Sequence, residues 1–414
     1  GGASDLAALA KATRPATRTV IGGPHATLVG AELAADDRFD VVFAGEAESL
    51  FPVLCQRLAE GAAVADLPGV VTGPPGPTTL RREPDLDALA FPAYDLFPAL
   101  VRDAIARTYP LITSRGCVFG CTYCSVPVIS GRRFRARSPE NVLEELRRAR
   151  ADYGAVGFEV LDDTFNFDPE RCKEICRQLI ASGLRFVWSC PNGVRADRID
   201  AELADLMARS GCELAMVGVE SAQPEVLAAV NKGETIEDIE RGIRLLQNAG
   251  IRVGGFFIVG LPGDSYAAQE RSVAFARRLG LHAHFNMLVP YPGTRLWQWV
   301  REQGRFLRGF EEGTHFADTA AGVQSVFETP DFTAAQRRRA YEMVLTRTEQ
   351  FGFLLPQALR GPRWHLTKLQ LLARYDRRAV PAQLLATIRG AARAVIRRLW
   401  RRRGAAQDVG APGA

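Results

Sequence analysis

The chain has 414 residues, a net charge of +5 and an apolar share of 47%. This length suggests about two to three domains, the composition is that of a globular protein, and no apolar run reaches the ~18 residues of a membrane span. Eight cysteines are spread through the chain without a signal peptide, which argues against a secreted disulfide framework and predicts a cytoplasmic protein.

The first 61 residues alternate helical and strand patterns. Because the chain opens on a helical segment without Met, we expect it to be the downstream part of a longer protein. Apolar strands predicted at residues 18–21 and 39–44 are each followed by a helix, at residues 28–35 and up to residue 58. Two strand–loop–helix units predict a doubly wound parallel sheet, which binds ligands where its strands end. The residues at these two ends are Gly22, Gly23, Pro24 and His25, and Gly45 and Glu46.

Residues 62–108 are rich in Pro and Gly and predict a linker. Residues 109–300 then repeat strand and helix six times, which predicts a partial (β/α)6 barrel with all strand ends on one face. A helix over residues 139–153 has Ser138 as its cap and Pro139 in its first turn. The predicted strands are residues 111–113, 157–161, 186–189, 214–219, 252–259 and 283–288.

Residues 301–403 predict a helical carboxy-terminal region, and residues 404–414 a disordered tail. Residues 356–403 carry thirteen Lys and Arg and one acid, with apolar residues at helical spacing. Such a basic amphipathic helix can contact an anionic membrane, cap the barrel or bind a partner. No recognition module accompanies the charge, so we expect no nucleic-acid partner.

One short loop after the first barrel strand concentrates soft ligands. Its cysteines, spaced C-x3-C-x2-C with Tyr123 before the last, are Cys117, Cys121 and Cys124. An iron–sulfur cube takes four ligands, so three cysteines leave one iron open for a substrate or cofactor. Gly116 and Gly120 would let backbone amides approach the sulfurs. The pattern therefore predicts an enzyme rather than a closed structural site.

This loop resembles the signature of the radical S-adenosylmethionine (radical SAM) superfamily. In that family SAM chelates the open iron, and one electron from the cluster cleaves SAM to methionine and a 5′-deoxyadenosyl radical, which abstracts a hydrogen atom. The resemblance covers residues 17–300. It implies a 4Fe–4S cluster held by the three cysteines, SAM as a cofactor, and an electron donor such as flavodoxin or ferredoxin.

The resemblance also implies SAM contacts on the loop and at the strand ends. Tyr123 belongs to the signature, while Asp162 and Asp163 stand where the family has a GGE-like turn for the SAM amino group. A helix cap is the alternative role of these two acids. Arg195 would pair with the SAM carboxylate, with a surface salt bridge as the alternative.

Two further strand ends complete this predicted SAM site. Glu220 and Ser221 are placed like family residues that bond to the SAM ribose or amino group. A glutamate directly after an apolar strand is costly without a partner, which favours a functional role. Gly260 lies in a segment that resembles the adenine-contacting strand of the family.

The segments GGPHAT and FDVVFAGEAES, placed before such a loop, resemble the second half of the cobalamin-binding domain that precedes many radical SAM cores. The resemblance implies cobalamin near the six residues named at the ends of the first two strands. The first three strands of that domain are absent, and no D-x-H-x-x-G motif occurs. His25 is therefore predicted at the edge of the cofactor rather than on cobalt.

Taken together, these patterns predict a cobalamin-type radical SAM enzyme that methylates an unactivated carbon of a small metabolite. A cobalamin-dependent radical SAM cyclase or oxidase without methyl transfer is the second hypothesis. A non-catalytic cofactor-binding sensor is the third, and the three intact cysteines argue against it.

Overall fold

The computed structural model describes residues 2–71, 80–309 and 324–348. The predicted basic amphipathic helix and the predicted disordered tail lie outside the described residues. Within the described ranges, no helix combines the length and the apolar character needed to cross a bilayer.

The amino-terminal domain is a small three-stranded sheet with helices, and its central strand is β2. Strand β1 runs parallel to β2, as predicted, whereas β3 pairs antiparallel on the other side. The third strand comes from the segment predicted as a linker, because the apolar pair Val70 and Val71 completes the sheet. The elements are α1 (Gly2–Thr13), β1 (Val20–Ile21), α2 (Pro24–Ala34), β2 (Val41–Phe43), α3 (Phe51–Glu60) and β3 (Val70–Val71).

The main domain is built on six parallel strands, which confirms the predicted alternation of strand and helix. In chain order the strands and helices begin with α4 (Ala99–Arg107), β4 (Tyr109–Leu111), β5 (Ser114–Arg115), α5 (Val126–Ile129), β6 (Arg135–Ala136), α6 (Pro139–Tyr153), β7 (Gly157–Val160), α7 (Pro169–Ala181), β8 (Val187–Val194) and α8 (Ala201–Arg209). They continue with β9 (Cys212–Glu220), α9 (Pro224–Ala229), α10 (Ile236–Asn248), β10 (Arg252–Val259), α11 (Tyr266–Arg278), β11 (His282–Met287), α12 (Arg295–Gln303), β12 (Arg305–Phe306), β13 (Phe327–Glu328) and α13 (Ala334–Arg347).

The six-stranded sheet has the order β4-β7-β8-β9-β10-β11, so each strand lies beside the next one in the series. All five pairings are parallel. Consequently all strand ends that precede a helix lie on one edge, as expected for βα units. The sequence analysis predicts the cysteine loop and the SAM contacts at this edge.

Side chains alternate between two environments along these strands. Val217, Val219 and Phe257 are buried in the layer between the sheet and its helices. Their neighbours in the alternation, such as Phe256 and His284, are only partly buried. The second set therefore lies on the face of the sheet opposite the helices.

Two predicted boundaries differ from the observed ones for identifiable reasons. The first barrel strand ends at Leu111 rather than at residue 113, because the Thr113 amide donates to the Asp162 carboxylate at 2.6 Å instead of to a neighbouring strand. The third continues to Val194 although Pro191 and Gly193 indicate a turn. Its pairing with β9 shifts register between Cys190 and Val194, so these residues form an irregular strand end.

Candidate functional site

The three-cysteine loop is closed at its base by a small hairpin. Strands β5 and β6 pair antiparallel, with Arg115 opposite Arg135, and the Cys117 amide donates to the Gly131 carbonyl at 3.2 Å. Gly116 adopts φ +86°, and a Cβ at this position would collide with the Arg133 carbonyl oxygen. Only glycine therefore permits this entry to the loop.

The far side of the loop is held by segments from other parts of the chain. Thr122 donates its amide to the Val230 carbonyl at 3.0 Å and accepts from the Leu296 amide at 2.9 Å. The Asn231 side chain donates to the Gly120 carbonyl at 3.1 Å, and a Cβ on Gly120 would lie 2.6 Å from that amide nitrogen. These contacts fix the loop between α9 and α12.

The three loop cysteines are free and partly exposed. Burial raises the pKa of Cys124 to about 12, and the neighbouring Cys121 and Cys117 add to the shift. Burial also raises the pKa of Cys121. The thiols therefore lie close enough to repel one another as thiolates, and metal binding would have to release their protons.

The three thiols are candidate ligands of a 4Fe–4S cube, which takes one cysteine on each of three irons and so does not need them to converge on one position. Among the residues that the structure describes, no three His, Cys, Asp or Glu side chains are placed to hold a single metal ion. The Thr164 hydroxyl also donates to the Cys117 sulfur at 3.2 Å, which is the kind of contact that tunes a metal ligand.

Asp162 and Asp163 support the loop from the end of β7. Asp162 is buried and accepts from the Thr113 amide, the Thr113 hydroxyl and the Ser114 hydroxyl, each at 2.6 Å. Burial raises the pKa of Asp162 despite these hydrogen bonds. Asp163 accepts from the Gly116 amide at 2.8 Å. Their contacts with SAM stay predictions, and Asp168 rather than either acid caps α7.

Arg195 is buried beside the loop and forms a salt bridge with the partly exposed Asp197, which was its alternative role. Its guanidinium forms a fork with Asp197 at 2.9 and 3.0 Å and donates to the carbonyls of Lys232 and Gly233 at 3.2 Å. Its Cζ lies 3.6 Å from the centre of the Phe119 ring, which belongs to the loop. The predicted pairing with the SAM carboxylate stays a prediction, since most of its donors already have partners.

Lys232 and Glu234 were missed by the sequence patterns. Lys232 is buried, and its Nζ lies 3.2 Å from Glu220 and 3.3 Å from Glu234. Burial alone would lower the pKa of Lys232, but the charges of these two carboxylates raise it overall. Burial raises the pKa of Glu234, against the opposing charges of Lys232 and Arg195. The only sequence signal was a pair of charges just before the cap of α10.

Glu220 lies where the sequence predicts it, at the end of β9 beside the loop. It adopts φ +63°, which strains a residue with a side chain. Burial and the nearby Glu220 charge together raise the pKa of Tyr123. Ser221 is buried, and its hydroxyl accepts from the Gln223 amide at 3.2 Å. The structure thus brings Tyr123, Glu220 and the cysteines together, while Ser221 shapes the turn that follows.

Gly260 at the end of β10 is clamped from both sides. Its amide donates to Asp264 at 2.7 Å, and its carbonyl accepts from Arg337 of α13 at 2.7 Å. Burial raises the pKa of Asp264 to about 6 and lowers the pKa of Arg337 to about 10. The clamp fixes the peptide that the sequence predicts to contact adenine.

This clamp predicts a pH dependence of stability. The pKa of Asp264 is raised from 3.8 to about 6 in the folded chain, so the folded state binds the proton more tightly. The associated stability is present below about pH 4 and is lost as the pH rises through about 6, a change of about 3 kcal/mol. Asp264→Asn removes this titration. Urea unfolding at both pH values measures the difference between wild type and variant.

The matched control for this measurement is Asp331→Asn, which changes an exposed carboxylate. We expect the free energy of unfolding of the control to follow the wild-type pH profile. That of Asp264→Asn should lack the wild-type decrease as the pH rises through about 6. A constant difference between wild type and Asp264→Asn across this pH range would contradict the assignment.

The residues predicted to contact cobalamin occupy the ends of β1 and β2. Gly22, Gly23, Pro24 and His25 form the turn into α2; Gly23 has φ +91° and no atom within 4 Å of an ideal Cβ. This turn is therefore open to a ligand.

Gly45 and Glu46 have other partners. A Cβ on Gly45 would lie 2.5 Å from the Arg81 carbonyl oxygen, so the close approach of this backbone explains why the position is glycine. Glu46 receives a two-pronged contact from Arg135 at 2.6 and 2.8 Å and the Glu83 amide at 2.7 Å. The carboxylate of Glu46 therefore faces the hairpin of the cysteine loop, and its contact with cobalamin stays a prediction.

Comparisons with known proteins agree with this geometry. A family model described as the radical SAM superfamily matches residues 111–276. A protein named uncharacterized methyltransferase PH0819, from Pyrococcus horikoshii, is 30% identical over 378 residues, 86% of this chain and 80% of that protein. The cytidylyl-2-hydroxyethylphosphonate methyltransferase of Streptomyces wedmorensis is 30% identical over 72% of this chain and 64% of its own length.

A solved structure shows the same fold. The radical SAM methyltransferase TsrM from Kitasatospora setae, with cobalamin and a 4Fe–4S cluster bound, superposes with a TM-score of 0.59 at 20% identity. The superposition covers 78% of this chain and 64% of that one. The chain thus spans less than two thirds of the TsrM structure and of the Streptomyces relative.

Proposed function

Because the chain belongs to the radical SAM superfamily, we propose that it is a cobalamin-dependent enzyme that methylates an unactivated carbon of a small metabolite. The observation that carries this proposal is the fixed three-thiol loop at the strand ends, joined directly to a domain with an open glycine turn. The likeness to proteins named as methyltransferases supports it.

Cys117, Cys121 and Cys124 would hold the cluster, and the turn from Gly22 to His25 would face cobalamin. When bound, the cluster supplies the electron that cleaves SAM to a 5′-deoxyadenosyl radical, and cobalamin supplies the methyl group. The protein's part is to hold these groups in register and to keep water away from them.

The chain's own charges suit the binding of SAM beside the loop. Glu220 and Asp163 offer carboxylate oxygens to an ammonium group. Arg195 and Lys232 are held beside them by Asp197 and Glu234. The strained backbone of Glu220 is expected at a functional site, where the orientation of a side chain is kept despite its energetic cost. The clamp on Gly260 would present a fixed peptide to adenine.

The substrate would lie in the interior of the curved sheet. The partly buried residues that face it mix a carboxylate, a hydroxyl, an aromatic ring and an imidazole: Glu159, Ser189, Phe256 and His284. Such a lining suits a small organic molecule with hydrogen-bonding groups. A flavodoxin or ferredoxin as electron donor, and a reducing cytoplasm, remain part of the proposal.

The test uses the protein reconstituted without oxygen and supplied with SAM, hydroxocobalamin and a reductant. The proposal expects 5′-deoxyadenosine together with methylcobalamin and S-adenosylhomocysteine, the products of methyl transfer from SAM to cobalamin. Deoxyadenosine without methylcobalamin would favour a cyclase or oxidase. If neither product forms, the chain is a non-catalytic binding protein and the proposal is wrong.

A further inference from the structure

The amino-terminal domain and the cysteine loop are joined by one compact charge cluster, the Glu46 bridge, which consists of Glu46, Arg115 and Arg135. Glu46 follows β2, while the two arginines lie opposite each other in the hairpin that closes the loop. The carboxylate of Glu46 lies 2.6 Å from Arg135 and 3.2 Å from Arg115. One carboxylate thus contacts both strands of the hairpin.

The Glu46 bridge is largely shielded from water. The side chains of Arg135 and Glu46 are 8% and 11% exposed. Burial would raise the pKa of Glu46, but the hydrogen bonds and charges of the arginines lower it overall, so the carboxylate is ionised. A shielded, two-pronged ion pair is held in one geometry, unlike an exposed pair between flexible side chains.

Both arginines also act on the loop itself. Arg115 directly precedes Gly116, the position that only glycine can occupy at the entry to the loop. Arg135 donates to the Ser130 carbonyl at 3.0 Å, next to Gly131, whose carbonyl accepts from Cys117. The side chains that bind Glu46 therefore also set the closure of the iron-binding loop.

We propose that the Glu46 bridge is a positioning device that holds the cysteine loop in its cluster-binding shape against the amino-terminal domain. A ligand that orders the amino-terminal domain then also orders the loop, because Glu46 lies just after β2 of that domain. The inference rests on the proposed function for its two ligands, the cluster and cobalamin. Glu46, Arg115 and Arg135 act through the loop and are positioning residues.

The chain offers a matched control in Glu48. This residue lies two positions after Glu46 and contacts Arg115 at 2.6 Å, but its side chain is 42% exposed, and of the two hairpin arginines it pairs with Arg115 alone. Glu46→Gln and Glu48→Gln make the same chemical change. Only the first removes a shielded charge that grips both strands of the hairpin.

The experiment measures the rate at which an iron chelator removes iron from the reconstituted cluster, with and without hydroxocobalamin. We expect Glu46→Gln to release iron about tenfold faster than wild type, because a broken shielded pair leaves a buried charge unpaired. Cobalamin should slow release in wild type and in Glu48→Gln but not in Glu46→Gln. Arg135→Lys should release iron at a rate between those of wild type and Glu46→Gln, since lysine retains the positive charge but not the two-pronged contact.

Equal rates for wild type and Glu46→Gln would overturn the inference, as would equal acceleration by Glu46→Gln and Glu48→Gln. If Glu46→Gln does not fold, the same comparison is made with Arg135→Lys against Glu48→Gln. Equilibrium dialysis separates the two proposals. Wild-type protein that binds no hydroxocobalamin rejects the cobalamin function, and the bridge is then judged on the iron-release contrast alone.

Discussion

Replacing Cys121 by alanine is expected to abolish both the cubane spectrum of the reconstituted protein and the reductive cleavage of SAM. The loop supplies three thiols, and each would bind a separate iron, so no thiol is redundant. The other cysteines of the main domain, Cys172, Cys176, Cys190 and Cys212, are buried in the core. They cannot reach the loop to replace the lost ligand. A fall in 5′-deoxyadenosine formation of about a thousandfold corresponds to about 4 kcal/mol of lost transition-state stabilisation.

The matched control is Cys55→Ala, which removes an exposed cysteine of α3 outside the loop. Iron content, the absorption spectrum and 5′-deoxyadenosine formation should match those of wild type. If Cys121→Ala kept an intact cluster and near-normal cleavage, the assignment of the loop would be wrong. Loss of activity in both variants would point to a general effect of cysteine removal.

Replacing Lys232 by methionine is expected to give the largest loss of stability near the loop. Its Nζ lies between Glu220 and Glu234, and all three side chains are buried. Methionine has a similar length but no charge, so the variant leaves two carboxylates without their shared partner. Breaking a buried ion pair in this way costs about 3–5 kcal/mol. Urea unfolding measures the free energy, and iron content reports whether the loop still forms.

Lys11→Met provides the comparison for this prediction. Lys11 also pairs with a carboxylate, Asp40 at 3.3 Å, but its side chain is 29% exposed. Exposed pairs of this kind contribute about 1 kcal/mol or less. A Lys232→Met variant as stable as Lys11→Met would show that Glu220 and Glu234 find other partners or take up protons at little cost.

The sequence predicted the framework well because local patterns determine it. The strand Arg252–Val259 and the helix Pro139–Tyr153 begin and end where the apolar alternation and the cap at Ser138 indicate. The three loop cysteines lie within eight consecutive residues, so they could be recognised as ligands without knowing the fold. Glu220 could be placed at a strand end because an acid after an apolar strand is unusual.

The sequence could not predict which distant side chains meet. Glu46 finds Arg135 at a separation of 89 residues, and Gly260 finds Arg337 at 77. Hydrophobic periodicity identifies the buried face of an element but not the partner of a charge on it. For this reason Lys232, Glu234 and Arg337 were missed, and Glu46 and Arg195 were predicted without the arginine and aspartate that they contact.

The electron paramagnetic resonance spectrum of the reduced, reconstituted protein with and without SAM tests the central claim most directly. The claim is that three loop cysteines hold a cube whose fourth iron takes SAM. It predicts a 4Fe–4S signal that changes on addition of SAM and shows hyperfine coupling to isotopically labelled amino and carboxylate groups of SAM. A cluster signal unaffected by SAM, with no such coupling, would contradict it.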